Sequence, residues 1–151
     1  MNRYFDENRP QAEVPRVFQP GKALAAGLIA AAILIVVPRG SPWGGLAFSE
    51  PVVMGRHFPG VPLGLIWLTQ LGLGIVYGFI ICRLIAAYRI RRALVTSALA
   101  GLVLYVVNLA VVSLIWKSAP QNEFSVVVTH LVFALITAGA YRGLLRRRIV
   151  A

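Results

Sequence analysis

The chain has 151 residues, of which 58% are hydrophobic and 13% are charged, and its formal net charge is +10. Soluble domains carry about 25% charged residues, so the composition excludes an ordinary soluble domain and leaves length for one membrane unit. A strongly basic chain is typical of nucleic-acid-binding proteins, but here the basic residues flank apolar runs, as membrane topology requires. We therefore expect the lipid bilayer, and no nucleic acid, as a partner.

Residues 1–21 are polar, and three prolines at five-residue intervals prevent a continuous helix. We predict a cytoplasmic polar arm that is either disordered or docked on a partner or the lipid surface. The first apolar run, residues 22–38, is short for a membrane span. A secretory signal peptide is the alternative, but no clear small-x-small cleavage site follows, so an uncleaved first span is favoured. In this run Gly27 and Ala31, four residues apart, offer a smooth packing face.

The connection formed by residues 39–61 is rich in proline, glycine and aromatic residues. Aromatic side chains favour the membrane interface, so we predict an ordered outward loop that caps the membrane domain. Further spans are predicted at residues 62–87, 93–116 and 124–145, each long enough to cross a bilayer. The fold class predicted is an all-α integral membrane protein with four transmembrane helices in one membrane domain, residues 22–151.

The distribution of arginine and lysine predicts the orientation. The N-terminal arm, the turn between the second and third spans and the C-terminus are basic, whereas the other two connections carry few basic residues. The positive-inside rule then places both termini in the cytoplasm, in a bacterial-type inner membrane. Arg83 and Arg142 lie near the cytoplasmic ends of their spans and are expected to snorkel to lipid headgroups. Tyr88, Trp116 and Tyr141 are expected as interfacial anchors.

Three polar residues interrupt the apolar spans: Gln70, Asn108 and His130. At about 1.5 Å per residue, all three lie roughly 9–12 Å below the predicted outer surface, because successive spans run in opposite directions. Thr69 and Thr129 lie at similar levels. Polar groups at such depth turn inward or mark a functional site. They form either a hydrogen-bonded cluster that determines helix pairing or a small polar site that opens outward.

The second and fourth spans align at an offset of sixty residues, with Thr69 and Gln70 matching Thr129 and His130. Small residues that permit close helix contact follow four and eight positions later in both spans and recur near the end of the fourth: Gly74, Gly78, Ala134, Ala138, Gly139 and Gly143. The repeat suggests two tandem helical hairpins related by an axis along the membrane normal; shared packing demand is the alternative. The two glycine pairs, Gly74 with Gly78 and Gly139 with Gly143, would serve the fold itself or a homo-oligomer.

No phosphate-binding glycine loop, HExxH, CxxC or GxSxG motif is present, and the five acidic residues lie outside the predicted spans. Cys82, the single cysteine, lies in an apolar run where packing explains it. We therefore expect neither an enzyme nor a bound cofactor or metal.

The leading hypothesis is a structural or interaction protein, either an accessory subunit of a larger membrane complex or a homo-oligomer. One alternative is a small transporter or channel with Gln70, Asn108 and His130 lining its outer half. Another is a haem- or metal-binding redox subunit with His130 as a ligand.

Overall fold

The computed structural model describes residues 17–36, 52–53, 56–57, 60–116 and 123–146. Four helices make up most of this part of the chain: α1 (Pro20–Val36), α2 (Leu63–Ile85), α3 (Ile90–Trp116) and α4 (Glu123–Arg146). Two very short strands pair antiparallel between α1 and α2: β1 (Val52–Val53) and β2 (Arg56–His57). The helical class predicted from the sequence is confirmed, with this small ribbon as an addition that the pattern did not indicate.

The predicted outward loop is described only in part, by the two strands and the residues from Gly60 onward. Gly60 has φ +85°, a left-handed conformation that glycine adopts at little cost, and it turns the chain toward α2. Pro62 directly precedes α2 with φ −57°, which suits the entry to a helix. The predicted arm of residues 1–21 lies outside the described residues up to position 16.

Three helical segments are long and apolar enough to cross a membrane: Leu63–Ile85, Ile90–Val111 and Val126–Leu145. This is the architecture of a membrane protein. The fourth helix, α1, is equally apolar but has 17 residues. At about 1.5 Å per residue it measures about 26 Å, slightly less than the roughly 30 Å of a hydrocarbon core. The predicted first span therefore stays a prediction.

The most extensive helix contacts join α1 to α2 and α3 to α4, and α1 also packs on α4, whereas the consecutive pair α2 and α3 meets less extensively. The inner face of α1 is made of small residues that are fully buried: Ala23, Ala26, Ala30 and Ala31. Because these side chains are short, the backbone of α1 comes close to its neighbours. Larger buried side chains, among them Ile81, Ile85 and Phe133, complete the core.

The basic residues of the helices gather at one end of the molecule. The Gln19 N–H before α1 donates to the Tyr141 hydroxyl near the end of α4, at 3.1 Å. Arg142 donates to the Ile85 carbonyl at the end of α2, at 2.9 Å. These contacts bring together the start of α1, the end of α2, the start of α3 and the end of α4. We call this region the basic end; it carries the following cationic residues: Lys22, Arg83, Arg89, Arg91, Arg92 and Arg142.

Candidate functional site

A chain of hydrogen bonds connects α2, α3 and α4 through side chains that lie well inside the helical segments. The Tyr77 hydroxyl of α2 donates to Oδ1 of Asn108 on α3. Nδ2 of the same amide lies 2.6 Å from Nε2 of His130 on α4. Nδ1 of His130 lies 2.8 Å from the Val126 carbonyl oxygen, one turn earlier in α4. We call these three side chains, Tyr77, Asn108 and His130, the polar relay.

The direction of each bond in the polar relay follows from which atoms carry hydrogen. The Val126 carbonyl can only accept, so Nδ1 of His130 donates to it. In the neutral imidazole, Nε2 is then the acceptor, and it receives a hydrogen from the Asn108 amide. Oδ1 of that amide accepts from the Tyr77 hydroxyl. One neutral arrangement therefore satisfies every bond, without a charge in the interior.

The middle residue of the relay is buried by close helix packing, whereas Tyr77 and His130 are half-buried. Asn108 is only 5% exposed, and the Tyr105 ring lies edge-on to the His130 ring with centroids 5.9 Å apart. A Cβ added to Gly101 on α3 would lie 2.8 Å from the His130 carbonyl oxygen and 2.9 Å from the Ala134 Cβ. Glycine at position 101 thus lets α3 approach the backbone of α4 closely at His130, two helical turns before Asn108 on α3.

The predicted polar layer forms only in part. Asn108 and His130 meet as expected, but the contribution from α2 comes from Tyr77, two helical turns beyond Gln70. Gln70 is half-buried, and Thr69 is exposed with its hydroxyl donating to the Leu65 carbonyl of its own helix at 2.9 Å. The reason is geometric: helical side chains lean toward the N-terminus, so the long Tyr77 side chain reaches the level of Asn108.

Thr129, also assigned to the predicted layer, is 8% exposed and lies directly before His130 on α4. Tyr77 and Gly101 were missed by sequence reasoning. Their spacing contains a signal, because Tyr77 follows Gln70 by seven residues and Gly101 precedes Asn108 by seven. Two turns of a helix place such residues on the same face.

The small residues predicted for helix packing divide into two groups. Gly74 and Gly78 lie against α1, where an added Cβ would overlap Ala31 and Gly27, and Ala134 and Ala138 are fully buried. The remaining pair, Gly139 and Gly143, is exposed on α4, and a Cβ added to either would meet no atom within 4 Å. These two glycines therefore do not pack within the described chain, and the homo-oligomer alternative stays a prediction for them.

Two residues expected at the lipid interface lie in the interior instead. Tyr141 is fully buried, and its ring lies 6.4 Å from that of Phe18. Arg142 is 5% exposed and donates from one terminal nitrogen to the Ile85 and Tyr88 carbonyls. The last carbonyls of a helix lack intrahelical partners and carry partial negative charge, so a buried arginine at the end of α2 satisfies the Ile85 carbonyl. Arg83, by contrast, is exposed and lies over the Phe18 ring.

The geometry bears on whether His130 can serve as a ligand. Both of its ring nitrogens are engaged, one by Val126 and one by Asn108, so a metal at Nε2 would have to displace the Asn108 amide. Within the described ranges, no group of three or more histidine, cysteine, aspartate or glutamate residues could hold a metal ion.

No protein-family model, curated protein or solved structure matches this chain significantly.

Proposed function

We propose that this chain is a small multi-pass protein of a bacterial-type inner membrane with a structural or interaction role, as an accessory subunit of a larger complex or as a homo-oligomer. Four spans and cytoplasmic termini complete the proposal. The start of α1, the end of α2, the start of α3 and the end of α4 lie together at the basic end. This is expected when the basic residues of a membrane protein remain in the cytoplasm.

The observation that carries the proposal is that the hydrogen bonds of the polar relay run between helices of this chain. Each ring nitrogen of His130 and both amide atoms of Asn108 bond to groups of this chain. Polar side chains that bind a substrate need donors or acceptors that are free to face a cavity. Those of the relay instead join three helices, which is the role of interhelical hydrogen bonds in membrane bundles.

The outer surface of α3 supports an interaction role. Large apolar side chains cover it along its length, each more than half exposed: Val95, Leu99, Val103, Val106 and Leu114. Lipid tails can cover such a surface, and so can the helices of a partner. α4 adds a second open face at Gly139 and Gly143, where another helix could approach closely.

The test is purification of the full chain from native membranes in a mild detergent, followed by mass measurement of the intact particle. We expect a mass above that of one chain plus detergent. Cysteine introduced at Val103 or Gly139, in a Cys82→Ala background, should cross-link to the neighbour, and the cross-linked product identifies a second copy or another subunit. A solitary chain with no cross-link from either position would contradict the proposal.

A small transporter remains the alternative, since a buried polar cluster is also found where solutes pass. Reconstitution in liposomes separates the two functions. Solute flux that is present in the wild type, lost in His130→Ala and retained in Thr69→Ala would favour a transporter. Reporter fusions after Arg92 and Ala151 test the orientation; both should report the cytoplasm.

A further inference from the structure

The turn between α2 and α3 concentrates positive charge around an open hollow. The hollow has a volume of about 690 Å³ and is lined by residues 87–92, three of which are arginines. α3 begins at Ile90 and has no acidic residue in its first turn. The first N–H groups of a helix have no intrahelical partners and carry partial positive charge. The arginines add to this charge instead of offsetting it, so an anion in the hollow would be stabilised.

The backbone around the hollow is already held in place. From the protein interior, Arg142 donates to the carbonyls of Ile85 and Tyr88. The Tyr88 N–H bonds to the Ile85 carbonyl at 3.1 Å, and the Ala93 N–H bonds to the Arg89 carbonyl at 2.8 Å. The turn therefore needs little reordering when a ligand arrives, which favours binding.

Exposed apolar residues next to the turn in sequence indicate what kind of anion the hollow suits. Leu84 and Ile90, which flank the turn, are 49% and 44% exposed. A ligand with a phosphate and a hydrocarbon tail satisfies both the arginines and these side chains. Guanidinium groups bind phosphate oxygens through paired hydrogen bonds, and basic pockets at the ends of membrane helices bind anionic headgroups.

We propose that the hollow lined by residues 87–92 binds the phosphate of an anionic lipid headgroup, with the acyl chains along Leu84 and Ile90. The inference rests on the membrane orientation proposed above, because that orientation places the basic end at the headgroups of the cytoplasmic leaflet. It does not depend on whether the protein has a larger partner.

The test measures binding of phosphatidylglycerol to the purified full chain in detergent by native mass spectrometry. Phosphatidylcholine and inorganic phosphate are titrated as separate arms. Each arginine near an anionic surface contributes about fivefold in affinity, so the double variant R91Q/R92Q should bind phosphatidylglycerol about 30-fold more weakly. The matched control R39Q/R56Q removes the same charge from the connection between α1 and α2 and should bind like the wild type.

A second variant separates a defined site from general charge attraction. Ala87→Leu fills part of the hollow and leaves every arginine in place, so it should weaken phosphatidylglycerol binding while circular dichroism remains unchanged. If R91Q/R92Q does not fold, this variant decides the question. Wild-type binding by Ala87→Leu would overturn the proposal, and so would equal weakening in R39Q/R56Q. Arginine-dependent binding of inorganic phosphate without preference for phosphatidylglycerol would overturn the lipid assignment.

Discussion

The contact between α1 and α2 depends on a glycine at position 27, and Gly27→Ala tests this directly. A Cβ at this position would lie 2.5 Å from the Gly74 carbonyl oxygen and 3.0 Å from the Gly78 Cα. Both are backbone atoms inside a helix, so neither can rotate away as the end of a side chain could. Relief requires the two helices to separate.

The required separation can be worked from the same distances. Ordinary contact begins at 3.4 Å, so the shortest distance must grow by about 0.9 Å. A gap of about 0.5–1 Å already loses a quarter to a half of the dispersion attraction between facing atoms. Overpacking of this kind costs about 1–3 kcal/mol. Since alanine also gains about 0.5–1 kcal/mol over glycine in a helix, the variant must be compared with another glycine-to-alanine change.

Gly72→Ala provides that comparison, because Gly72 lies inside α2 and an added Cβ meets nothing within 4 Å. The propensity gain is common to both variants and cancels. We expect Gly27→Ala to be less stable than Gly72→Ala by about 1–3 kcal/mol, measured by equilibrium unfolding in mixed micelles of a mild detergent and dodecyl sulfate. Equal stability of the two variants would refute the close approach of α1 and α2 at this point.

Three further predictions use the same unfolding measurement. Asn108→Ala removes two interhelical hydrogen bonds and should lower the free energy of unfolding by about 1–2 kcal/mol, at about 0.6 or more for each bond. Thr69→Ala loses only a bond within its own helix and should be nearly neutral. Similar losses of stability in the two variants would show that the relay does not join the helices. Arg142→Gln should cost about 1.5–3 kcal/mol of stability, the value of a hydrogen bond to a charged group. Arg83→Gln should cost about 0.5–1 kcal/mol, the value of an exposed cation–π contact. A larger loss of stability in Arg83→Gln than in Arg142→Gln would contradict the buried position of Arg142. Tyr141→Phe should cost about 0.5–1.5 kcal/mol through the lost acceptor for a backbone N–H, and an unchanged stability would argue against that bond.

Much of the helical architecture was predictable because each helix is a long, mainly apolar stretch with a clear boundary. Pro62 marks the start of α2, and the basic residues after Ile85 mark its end. Length and composition suffice here, because every backbone group of a membrane-spanning segment must find its partner within the segment. The pairing of Asn108 with His130 was also predictable, because the depth of a residue in the membrane follows from its distance along the span.

The rotation of each helix about its own axis could not be predicted by counting residues from the ends of a span. Gln70 and Tyr77 lie on nearly the same face of α2, and only the position of α3 determines which of them meets Asn108. Gly74 and Gly139 look alike in sequence, yet one lies against α1 and the other is exposed. Arg142 near a span boundary is consistent with snorkelling or with burial, and the end of α2 beside it decides for burial.

From the sequence alone, this protein's helical character, its apolar lengths and the grouping of its basic residues are determined, because all three depend on the local order of residues along one chain. The tertiary structure decided which polar side chains form the relay, which glycines lie at helix contacts and which arginine is buried. These depend on distances between residues far apart in sequence, set by how small side chains allow the helices to approach and rotate against one another.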